Sequence, residues 1–149
     1  MHLQQAVTTA LIGLLLAFVA TPSRADEAAD RAAAEALYEL GQALLEKGNV
    51  AEACPKLEAS NALDPGVGTL LLLGDCQEKA GKLASAWATF KEAAALARAH
   101  DDPSRTSIAE LRATALRPRL TFVVFRVSAQ NELDGFELRR GSSLVARGS

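Results

Sequence analysis

The 149-residue chain reads as mainly α: a short α-solenoid of two helical hairpins plus a capping helix, followed by a small, incomplete antiparallel β-module. Three observations predict this. Gly41, Gly48, Ala53 and Leu57 recur as Gly74, Gly81, Ala86 and Phe90, each shifted by 33 residues, and a fixed period of about 20–50 residues marks stacked supersecondary units. Between Asp26 and Lys47, alanine and leucine recur on a helical stripe with acids on the outside. After Pro118 the apolar pattern changes to alternation, rich in β-branched and aromatic residues.

Residues 1–25 read as a signal peptide rather than as part of the fold. Ala10 to Ala20 is an unbroken apolar run, too short for a comfortable transmembrane helix. Thr21-Pro22 and Ser23-Arg24-Ala25 follow, and small residues at Ser23 and Ala25 suit a signal peptidase, leaving Asp26 first. Met1 to Gln5 lacks the usual Lys or Arg. The segment predicts export, to a periplasmic or an extracellular, cell-envelope location.

Residues 26–118 form the helical repeat domain. The first helix covers Asp26 to Lys47 and ends at Gly48, where a left-handed backbone costs least for glycine. Asn49 is placed to cap the second helix, with Glu52 at capping-box spacing, and Asp64-Pro65 closes that unit. Gly41 and Gly74 allow close helix crossings against the second helices, where Ala53 and Ala86 are small and Leu57 and Phe90 fill the space below. The third helix is predicted over 67–80 and the fourth over 83–100. Asp101-Asp102-Pro103 supplies a loop, a cap and a first-turn proline for a fifth helix over 104–117. Its apolar face, Ile108, Leu111, Ala115 and Leu116, is expected to cover Trp87 and Phe90.

Residues 119–149 are expected to hold the β-module. Its strands would run over 120–127, 136–140 and 143–146, with a hairpin turn at Arg140-Gly141-Ser142. The charge changes at the same boundary: 26–118 hold 10 basic and 15 acidic residues, net −5, whereas 119–149 hold 5 and 3, net +2.

Chemistry-bearing motifs are scarce. An overall charge of −2 argues against a general nucleic-acid binder. His100 is the one histidine outside the signal segment, and it sits at a helix end beside Asp101 and Asp102, where the dipole favours it. No phosphate-binding glycine loop, nucleophile elbow or paired metal-ligand motif occurs. The expectation is a non-enzymatic protein without catalytic residues, cofactor or metal. Cys54 and Cys76 are too few for a zinc site and wrongly spaced for a redox C-x-x-C pair. Two readings remain, a structural disulfide or two buried thiols; export and the packing of the second helix on the third favour the bond.

The pattern of glycine, small, large and proline positions in the two copies resembles the tetratricopeptide repeat. The departures are Leu37 and Leu70 at the usual early aromatic, Leu44 and Gln77 at the usual tyrosine, and Arg98 in place of the second terminal proline. Two copies are also fewer than the three or so that bury a continuous core. The β-module weakly resembles the start of the small sandwich domains named for a Pro-Glu-Gly-Ala motif, which is absent here.

The repeat resemblance implies a partner-binding concave face on the first helices, at Glu35, Tyr38, Gln42 and Glu46 in copy one and Asp75, Glu78 and Lys79 in copy two. The lysine and asparagine with which some relatives grip a terminal carboxylate are replaced by Tyr38 and Gln42, so a mostly acidic groove suits a basic or polar extended segment. The implied function is an exported protein-interaction adaptor or scaffold that binds a protein or peptide. No nucleic acid and no membrane span in the mature chain are expected, and association with the cell envelope is left open. The alternative is a structural or sensory envelope module in which the β-part is the recognition or attachment element.

Overall fold

The computed structural model describes residues 24–123, 137, 139–140 and 143–144. These fall into two compact units, the first closing at Arg119 and the second beginning at Leu120.

The described residues of the first unit form helices: α1 (Arg24–Glu46), α2 (Val50–Leu63), α3 (Val67–Lys79), α4 (Leu83–Ala99) and α5 (Pro103–Leu116), then a 3-10 turn over Arg117–Arg119. Local chemistry sets the ends. Asp26 and Glu27 lie in the first turn of α1, where the helix dipole favours acids. Gly48 and Gly81 have φ of +79° and +75°. The bonds around them are equivalent: Gly48 N–H donates to Leu45 O and Asn49 N–H to Leu44 O, while Gly81 N–H donates to Glu78 O and Lys82 N–H to Gln77 O. This pair of bonds satisfies the last carbonyls of each first helix and turns the chain back. The end of α4 uses the same pair, Asp101 N–H to Arg98 O and Asp102 N–H to Ala97 O, with Asp101 at φ 52° in the glycine position.

The predicted capping box does not form, because Asn49 makes no side-chain cap hydrogen bond. Its backbone carbonyl instead accepts from Glu52 and Ala53 N–H. Asp102 does cap α5, its Oδ1 accepting from Arg105 N–H at 2.9 Å.

Each hairpin closes where a glycine faces a large side chain. A Cβ on Gly41 would lie 2.8 Å from Leu57 Cγ and Cδ2, and one on Gly74 would lie 2.6 Å from Phe90 Cε1. Ala53 and Ala86 are fully buried beside these contacts. Leu45, Ala53, Cys54, Leu57, Leu73 and Cys76 make one core cluster, which crosses from the first hairpin to the second. The others, Leu70 with Ala93, Ala94 and Ala109, and Ala86 and Phe90 with Ala113 and Leu116, join α3, α4 and α5. The sulfurs of Cys54 and Cys76 are bonded at 2.15 Å, with Cα atoms 5.6 Å apart, so the two hairpins are also tied covalently.

The fifth helix covers Phe90 as expected, but of the expected face only Leu116 is buried. Ala109, Ala113 and Leu116 point inward, whereas Ile108 is 49% and Leu111 70% exposed, and Ala115 is exposed too. Ala93 and Ala94 of α4, both buried, pack in one cluster with Ala109 of α5. Small facing residues let the helices approach closely, and Ile108 or Leu111 at that seam would hold them apart.

The predicted β-module is the main correction to the fold class. The described part of the expected first strand, Leu120 to Val123, forms no strand, and Phe122 and Val123 are 61% and 71% exposed. Among the described residues the strand pairing is confined to two two-residue pieces, Arg139–Arg140 and Ser143–Leu144, antiparallel with Arg139 opposite Leu144 and Arg140 opposite Ser143. Leu144 is 61% exposed. A ladder of that length closes a turn but has no apolar face to bury, and a hairpin alone is marginal in water. The remaining residues of the three expected strands lie outside the described residues. What is described is mainly α.

Candidate functional site

The seven expected groove residues divide into two groups. On α1, Glu35 and Glu46 are exposed, and Gln42 Nε2 donates to Glu46 Oε1 at 3.1 Å, one turn along the same helix. Tyr38 is half-buried, its ring packed against the core cluster that contains Leu57 and Cys76. On α3, Asp75, Glu78 and Lys79 line an open hollow whose other walls are Arg112 of α5 and Arg119 of the 3-10 turn. The α1 residues do not border that hollow.

Arg112 organises the hollow. Its Nη2 lies 2.6 Å from Asp75 Oδ1 and 3.0 Å from Glu78 Oε2, and its guanidinium sits 4.9 Å above the Phe90 ring. Arg119 Nη1 pairs with the other oxygen of Glu78. Glu78 is thus held between two arginines. The Arg112 hydrogen bond, joined by that of Arg119, keeps its carboxyl below the ordinary value of 4.5 despite the opposing effect of burial. For Arg112, burial works against the charge, but Glu78 and Asp75 more than offset it, so it is held protonated more firmly than a free arginine. Asp75 Oδ1 is shielded from solvent, and its close contact is Arg112 Nη2 at 2.6 Å.

This corrects the expected electrostatics of copy two. Asp75 and Glu78 are already engaged by arginines of the same chain, so they do not present free negative charge to a basic segment. Sequence reasoning missed Arg112 and Arg119 because they lie 34 and 41 residues from Glu78 and outside the repeat. No local signal marked Arg112, because packing against α4 itself decided which face of α5, with Ala109 and Ala113, is buried.

Two further polar contacts are structural. Ser60 Oγ donates to Ala34 O and Thr89 Oγ1 to Gln77 Oε1, each at 2.8 Å and buried. His100 ends α4, exposed, with its backbone N–H bonded to Leu96 and Ala97 carbonyls. Among the described residues no group of three or more His, Cys, Asp or Glu is placed to hold a metal, and no helix is long and apolar enough to cross a membrane. No protein-family model, curated protein or solved structure matches the chain.

Proposed function

We propose that this chain is a non-enzymatic, exported interaction adaptor of the tetratricopeptide type, which takes an extended protein or peptide segment along the exposed sides of α1 and α3. The observation that carries the reading is the recurrence, 33 residues apart, of one hairpin contact, Gly41 on Leu57 and Gly74 on Phe90, with matching turns at Gly48 and Gly81. A repeated hairpin places successive first helices on one side, where their long side chains can line a shared surface. The bonded pair Cys54–Cys76 fits an oxidising compartment and so supports export. Glu35, Gln42 and Glu46 supply a polar, net acidic first half of the surface, and Tyr38 supplies its aromatic anchor.

Capture of a partner from periplasmic extract by the full chain, repeated with variants, tests the reading. Tyr38→Ala is expected to weaken binding more than about fivefold, as loss of an aromatic anchor does, with the helical circular-dichroism signal retained. Because Tyr38 is half-buried, Tyr38→Phe is the packing control and is expected to lose less. A partner that binds both variants as it binds the natural chain rules out the α1 surface.

A further inference from the structure

The helical unit carries more acid than base, yet one end of it is basic. Lys79 and Lys82 flank the turn between α3 and α4, and Arg112, Arg117 and Arg119 lie at the end of α5 and in the turn that follows. These pieces are neighbours: Leu83 and Leu116, next in sequence to Lys82 and Arg117, pack on one core cluster, and Glu78 reaches both Arg112 and Arg119. Against these five cations stand Asp75 and Glu78, both neutralised within the chain, which leaves a local net of +3. Lys79, Lys82 and Arg117 are exposed and form no ion pair among the described residues. Arg119 keeps half of its side chain exposed. The opposite end, with Asp64, Asp101 and Asp102 in its loops, shows no such excess of base.

We propose that this basic end is a docking site for an acidic peptide segment. The proposal rests on the adaptor reading and specifies the partner's charge, which is opposite to that expected from the acids of α3 alone. Two features favour a peptide over a flat anionic surface. Three of the cations, Lys79, Arg112 and Arg119, line an open hollow together with Asp75 and Glu78, and the Arg112 side chain is only 38% exposed. A carboxylate on a flexible side chain can enter such a hollow and meet Lys79 and Arg119, while the next acidic residue along the segment reaches Lys82 or Arg117. Glu78 fixes the arginines in place, so little side-chain freedom remains to be lost on binding.

The test uses the full chain and two acetylated, amidated decapeptides, one of alternating aspartate and alanine, the other of alternating lysine and alanine, at low and physiological salt. Vesicles containing phosphatidylglycerol form a third arm. The expected result is that the acidic peptide binds at least about tenfold tighter than the basic one, with affinity falling as salt rises because exposed charges are screened. The double variant Lys82→Glu with Arg117→Glu, both outside the core and the ion-pair network, is expected to lose that binding about tenfold with an unchanged denaturation midpoint. Glu35→Lys on α1 is expected to change it less than twofold. Preference for the basic peptide, absence of binding to the acidic one, binding that survives the charge reversal, or binding to vesicles alone would each overturn the proposal. Failure here leaves the adaptor reading to the Tyr38 variants, which probe another face.

Discussion

In the first hairpin Gly41 meets Leu57; in the second Gly74 meets Phe90, and the larger ring alters what can lie beyond it. Both large side chains are fully buried, but by different neighbours. Leu57 is covered from the next repeat, by Leu73 and Cys76. Phe90 has no next repeat of the same spacing, and Ala113, Leu116 and the Arg112 guanidinium of α5 cover it. Position by position, Leu45 in the first hairpin, buried, corresponds to Glu78 in the second, and Leu44 to Gln77, which is buried with Thr89 as its partner. The repeat therefore dictates the crossing and the turn, while each remaining position answers to whatever packs on its outer side. The last unit is polar where the first is apolar because α5 brings arginines instead of another leucine-rich helix.

The largest expected effect comes from cutting the link between the hairpins. Cys54→Ser with Cys76→Ser opens a loop of 22 residues, and the chain-entropy account puts the loss at about 3 kcal/mol. A urea midpoint that stays in place would show that the shared apolar cluster alone holds the hairpins together.

Next comes a direct comparison of the two crossings. Gly→Ala within a helix gains about 1 kcal/mol of propensity, set against the clash that the new methyl creates. At Gly74 that methyl would fall 2.6 Å from a buried ring that cannot rotate away, and a net loss of about 1–3 kcal/mol is expected. At Gly41 the contact is 2.8 Å from a leucine that has other rotamers, and the net change is expected to stay within about 1 kcal/mol. Equal losses in thermal denaturation would show that ring and leucine yield alike, and would remove this distinction between the repeats.

The smallest effect concerns the charge unique to the second hairpin. The Glu78 carboxyl titrates below its ordinary 4.5 in the folded chain. A depressed carboxyl contributes stability that is present above 4.5 and is lost as pH falls through the lowered value. The gap in denaturation midpoint between the natural chain and Glu78→Gln is therefore expected to be widest near neutrality and to close on acidification below 4.5. It is also expected to narrow with added salt, since Arg119 is exposed. A gap independent of pH would mean that Glu78 acts through packing and not through its charge.

The helical hairpins were legible in the residues alone because each rests on chemistry local to the chain: glycine at a left-handed turn, proline after a helix end, small residues one turn from large ones. Such signals need no knowledge of distant neighbours, and so the ends of α1 to α5 fall within a few residues of those expected. What tertiary structure decided was pairing across the chain. The seam between α4 and α5 selects Ala109 and Ala113 over Ile108 and Leu111, since closeness of approach outweighs hydrophobicity there, a property of two helices together. Alternation after Pro118 showed strand propensity but not the partners a strand requires, and Leu120 to Val123 have no ladder. Asp75 and Glu78 looked like free acids until Arg112 and Arg119 arrived from more than 30 residues away, because a charge's meaning depends on its neighbours in space.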